Sequence, residues 1–170
     1  MVYGRIAMVL MALLTVFPAV SAHGGEAEVS EGVSSGQALV IAALGAAGLW
    51  QFTKTVMPAK STAFSPGMVG LTAFTGLVHV LLGLEDTLLL VGGLGVLAVC
   101  MVLVFVGVDQ QRERQLLWAL AGVVAIMFIG YFVANHDPGM MLEDRLGIAT
   151  KLAEVALLGL LYRNGSATKV

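Results

Sequence analysis

Residues 87–108 read TLLLVGGLGVLAVCMVLVFVGV, an apolar run without a single charged side chain. At 1.5 Å per residue it forms a helix roughly 33 Å long, enough to cross about 30 Å of hydrocarbon. A helix that is apolar on every side has no face for water, so its surroundings are lipid or other protein. Strands are excluded as the spanning element, because lipid cannot satisfy an open backbone edge and no alternating pattern suggests a barrel.

Working outward, four further apolar segments of similar length flank this one: Gln37–Thr53, Gly67–Leu84, Gln115–Ala134 and Leu146–Tyr162. With Thr87–Val108 they predict an all-α, polytopic transmembrane bundle of about five helices, spanning residues 37–162. Short connections make neighbours antiparallel, and Gly83-Leu84-Glu85-Asp86 is tight enough to close the second and third helices into a hairpin. Composition agrees: the chain has 170 residues, 58% hydrophobic and 12% charged, with a mean hydropathy of +0.93. A soluble domain carries about twice that share of charge. A formal net charge of −2 and the lack of a basic patch or module argue against a nucleic-acid partner. The single cysteine, Cys100, has no partner for an internal disulfide and reads as a packed thiol. Glycines 92, 93 and 95 lie mid-span, where small residues let helices approach closely.

The first 22 residues have the three parts of a secretory signal. Arg5 supplies the positive charge, Ile6 to Phe17 the apolar core, and Val20-Ser21-Ala22 the small residues of a cleavage site. An uncleaved first transmembrane helix is the alternative reading. Cleavage after Ala22 would expose His23, whose amine and imidazole together chelate copper or nickel well. Residues 23–36 are polar and acidic and read as a flexible extracytoplasmic tail; 163–170 read as a cytoplasmic tail. Basic residues set the orientation. Lys54, Lys60, Arg112, Arg114, Arg163 and Lys169 fall on one side, and only Arg145 on the other. The basic side belongs in the cytoplasm, so the mature N-terminus lies outside and the C-terminus inside a cell membrane.

Ionisable groups within the spans are costly and therefore informative. They are His79, Lys151 and Glu154. On the second helix Thr72, Gly76, His79, Gly83 and Asp86 recur at intervals of four and three, which keeps them on one face. On the last helix Asp144, Gly147, Lys151 and Glu154 do the same. His79 and Lys151 come at similar depths, about 7 Å below the outer end, with Glu154 roughly one turn deeper. The two stripes can meet in the outer half of the bundle. Glu85, Asp86, His136 and Asp137 lie on the same membrane face. Against a functional role stands the plain alternative that Lys151 and Glu154 neutralise one another and His79 only bridges helices. His136-Asp137-Pro138-Gly139 reads equally as an ordinary turn.

The segment His79-Val80-Leu81-Leu82-Gly83-Leu84-Glu85-Asp86-Thr87-Leu88 resembles the signature of the HupE/UreJ family of small nickel/cobalt permeases, approximately H-P-x-x-G-x-D-H-x-L. His79, Gly83 and Leu88 match, and Glu85 stands for the aspartate. Val80 replaces the usual proline, and Asp86 replaces the second histidine, which removes a nitrogen ligand. The resemblance implies a compact bundle that carries a divalent transition-metal ion. His79, Glu85, Asp86, Glu154, His136 and His23 are then the candidate metal-binding residues. Histidine with carboxylates suits nickel, cobalt, zinc or copper. A membrane anchor or accessory subunit of a respiratory or metallo-oxidase complex is the competing reading, with His79 and His136 as haem ligands. A purely structural bundle is a third. The expected partners are the lipid bilayer, a metal ion, and either further copies of the chain or a membrane complex. No nucleophile–base constellation suggests an enzyme.

Overall fold

The computed structural model describes residues 33–56, 64–84, 86–106, 108–134 and 144–167. His23, Glu85, His136 and the candidate signal peptide lie outside them. The described residues are 91% helical and contain no strand. Five helical segments follow in order: α1 Ser35–Val56, α2 Pro66–Leu82, α3 Thr87–Met101, α4 Gln110–Ala134 and α5 Arg145–Ala167. Helix α3 runs without a break into a π-helical turn, Val102–Val106.

Each helix starts where a small polar side chain can satisfy its first free N–H groups. Ser34 Oγ accepts from Gln37 N at 3.3 Å while Gln37 Oε1 accepts from Ser34 N at 3.1 Å, a reciprocal capping box. Ser65 caps α2 ahead of Pro66, whose missing N–H costs nothing at the first turn. Asp86 Oδ1 accepts from Leu88 N and Leu89 N at 2.9 and 3.3 Å, opening α3. Asp109 and Asp144 serve α4 and α5 in the same way, accepting from Arg112 N and Gly147 N at 3.0 and 2.8 Å. These caps displace the boundaries expected from hydropathy. Helix α1 begins at Ser35 inside the expected tail, and α4 begins at Gln110, because caps and not apolar periodicity decide where helices start.

Among the described residues, three helical segments are long and apolar enough to cross a membrane: Ser35–Thr55, Thr87–Val106 and Gln110–Val133. The other two differ for separate reasons. Helix α5 carries Lys151 and Glu154 in its middle. Helix α2, of 17 residues, is roughly 25 Å long, but it packs against α1, α3 and α5 and most of its surface is covered by protein. The expected cytoplasmic tail is helical as far as Ala167. Asn164 Nδ2 reaches Met68 Sδ at 3.1 Å, and Gly165 is buried beside Trp118.

Helices α2 and α3 approach each other closely at glycine. A Cβ on Gly93 would lie 2.7 Å from Val80 N and 2.8 Å from Gly76 O, and one on Gly83 would strike Leu90 backbone. Two apolar clusters fill the ends of the bundle. One gathers Met68, Val96, Leu117, Leu120, Leu157 and Leu161, among others. The other joins Ala38, Ala42, Leu77, Val78, Leu81 and Leu146. Along α5 Thr150, Lys151 and Glu154 fall between them, and along α2 Thr72 and Thr75 do, with His79 set between Val78 and Leu81 of the second cluster.

Candidate functional site

That polar layer is Thr72, Thr75 and His79 from α2 with Thr150, Lys151 and Glu154 from α5, all buried. Apolar neighbours on both sides leave these groups little besides one another and nearby backbone carbonyls as partners, as Thr150 Oγ1 shows by donating to Leu146 O at 2.8 Å. Glu154 is fully enclosed at 0% exposure. Its Oε2 accepts from Lys151 Nζ at 2.6 Å, and its Oε1 lies 3.5 Å from His79 Nε2. The two stripes of the sequence therefore meet.

His79 has a defined polarity. Its Nδ1 stands 2.8 Å from the Thr75 carbonyl oxygen, which can only accept, so Nδ1 carries the hydrogen. In the neutral ring Nε2 then presents a lone pair to Glu154 Oε1. Two acceptors face each other across 3.5 Å, and Oε1 is buried with no hydrogen bond to any described residue. A lone pair and a carboxylate oxygen repel unless a positive charge lies between them. Two ligand atoms each about 2.0–2.1 Å from a tetrahedral metal ion sit roughly 3.3 Å apart, close to the separation seen. A proton shared between the two atoms meets the same requirement.

Lys151 has further neighbours. Its Nζ donates to Met127 O at 3.4 Å and stands 5.0 Å from the Tyr131 ring centroid and 5.7 Å from that of Phe128. Tyr131 in turn donates its hydroxyl to Asp144 Oδ2 at 3.0 Å. Helix α4 thus supplies an aromatic wall between the Lys151–Glu154 pair and the acid that caps α5. A cavity of about 780 Å³ is bordered by His79, Asp86, Tyr131, Asp144 and Lys151 among apolar side chains. Glu154 is not among its lining residues.

Of the six candidate metal ligands, His79 and Glu154 are brought together, and Asp86 borders the same cavity with one oxygen committed to the α3 cap. Among the described residues no three His, Cys, Asp or Glu side chains form a ready ligand group. Thr75, Tyr131 and Thr150 escaped the sequence reading. Thr75 and Thr150 could have been found as polar residues one turn from His79 and Glu154. Tyr131 left no signal, since nothing in α4 marks the face turned toward Asp144. Thr72 Oγ1 and Thr75 Oγ1 are buried without a hydrogen bond among the described residues. Compared with protein-family models, with curated proteins and with solved structures, the chain matches none.

Proposed function

We propose that this chain is a multi-pass membrane protein whose bundle carries a divalent transition-metal cation, captured between His79 Nε2 and Glu154 Oε1. One observation carries the reading: a lone pair and an unpartnered carboxylate oxygen converge inside the bundle. An imidazole with a carboxylate favours nickel, cobalt, zinc or copper over magnesium or calcium. Asp86 and Asp144 border the approach, and Glu85, His136 and His23 belong to the same outer side. The leucine-rich cluster below Glu154 closes the cytoplasmic half, so passage requires that layer to open.

With cobalt outside proteoliposomes, His79→Ala should slow influx per folded molecule by at least about tenfold, the scale on which weakening a metal site acts. Unchanged influx would remove His79 from the path. The short Lys151–Glu154 pair supports a second reading, in which the layer is structural. On that reading His79→Ala lowers the melting temperature and leaves influx per molecule intact. Haem ligation by His79 would require Nε2 to turn away from Glu154, and a Soret band in the purified protein would support it.

The orientation follows the basic residues, with Arg112 cytoplasmic and 135–145 outside. In intact cells a membrane-impermeant maleimide should label Met140→Cys and spare Arg112→Cys. Native Cys100 is buried and gives no background. Labelling of position 112 with sparing of 140 would invert the topology.

A further inference from the structure

The ammonium of Lys151 sits where an incoming cation has to be balanced. Its Nζ holds one oxygen of Glu154 at 2.6 Å, while the other oxygen faces His79. A cation between His79 and Glu154 would bring two positive charges within a few ångströms, in surroundings where repulsion is several-fold stronger than in water. Either the cation is refused or the lysine moves.

A second anion lies within its reach. Asp144 stands two turns nearer the start of α5 on the same face, about 10 Å along the axis. Side chains on a helix lean toward its N-terminus, the direction in which Asp144 lies. Gly147 lies between the two, and a Cβ there would strike Asp144 and come within 2.5 Å of the Tyr131 hydroxyl. The Tyr131 ring flanks the route, 5.0 Å from Nζ, and its hydroxyl is bonded to Asp144. A ring face attracts an ammonium along its length. Lys151, Gly147, Tyr131 and Asp144 all border one cavity.

We infer that Lys151 determines the specificity of the site, as a tethered competitor that holds Glu154 until a divalent cation displaces it along Tyr131 to Asp144. This rests on the cation site proposed above. A sodium ion gains nothing by the exchange, since it replaces one positive charge with another at the same carboxylate. A divalent transition-metal ion doubles the attraction and adds a bond to the His79 nitrogen. The lysine thereby filters monovalent ions without a size-selective cage.

Cobalt chloride titrated calorimetrically into the purified full-length protein in detergent tests this, in sodium chloride and in choline chloride of equal ionic strength. The wild type should bind cobalt equally in both salts. Lys151→Met should bind it at least about tenfold tighter in choline, an interaction of the size coupled residues show, and lose that gain in sodium. Asp144→Asn keeps the helix cap and the bond from Tyr131 but removes the charge. It should weaken cobalt binding about tenfold with the lysine present and have no effect beside Lys151→Met, the non-additivity of coupled residues. Lys151→Gln runs in parallel, and Asp144→Asn leaves the Lys151–Glu154 pair intact should both lysine variants misfold. Equal cobalt affinity in wild type and Lys151→Met, with Asp144→Asn silent in both, overturns the inference and leaves the cation site standing. Absence of cobalt binding in every folded form overturns both.

Discussion

Glu154→Gln is expected to destabilise the bundle by about 3–5 kcal/mol, the cost of leaving one member of a buried ion pair uncompensated. The change strands the Lys151 ammonium among Met127 O and the rings of Tyr131 and Phe128, none of which carries a negative charge. Removing both charges together, as Lys151→Met with Glu154→Gln, should restore most of the loss, because a neutral pair of similar volume leaves no uncompensated charge buried. Thermal melting in detergent, followed through Trp50 and Trp118 fluorescence, reads both results. A double variant that melts as low as the single one would show that the ion pair is not what Glu154 contributes.

Gly93→Val should also be damaging, by a different mechanism. Its Cβ would stand 2.7 Å from Val80 N and 2.8 Å from Gly76 O, both backbone atoms that cannot turn aside. Relief requires α2 and α3 to separate, and overpacking of that kind costs about 1–3 kcal/mol and occasionally more. Separation also shifts His79, one residue before Val80, away from α5. Gly95→Ala is the control, since a Cβ there meets nothing within 4 Å and helix propensity favours alanine by about 0.5–1 kcal/mol. Loss of the folded fraction in Gly93→Val alone is the expected outcome. Equal tolerance of both changes would contradict the close crossing.

How much of this was legible in the sequence differs from residue to residue. The helices were, because the run at 87–108 leaves a chain in lipid no other structure. The pairing of α2 with α5 was half legible: the intervals from Thr72 to Asp86 and from Asp144 to Glu154 reveal two polar faces, and costly charges must turn inward. That Glu154 meets both Lys151 and His79 depends on how far α2 slides along α5, which the Gly76–Gly93 crossing and neighbouring packing decide. Helix starts were missed where the cap is the signal, as with the Ser34–Gln37 box. Asp86 illustrates the ambiguity most clearly. A carboxylate ending a hairpin reads as a ligand, yet here Oδ1 caps α3 and only its remaining oxygen is open to other chemistry. Tyr131 needed the fold itself, since its link to Asp144 joins two helices across a connection that periodicity says nothing about.

The measurement that bears most directly on the cation site is cobalt influx into proteoliposomes containing the Lys151→Met, Glu154→Gln double variant, normalised to folded protein. This variant removes the carboxylate that would hold the ion while avoiding the stranded charge that would unfold the bundle. The expected result is a melting temperature near that of the wild type with influx no faster than in empty liposomes. Influx at the wild-type rate from the double variant would contradict a cation held between His79 and Glu154, and would leave the buried layer a structural device.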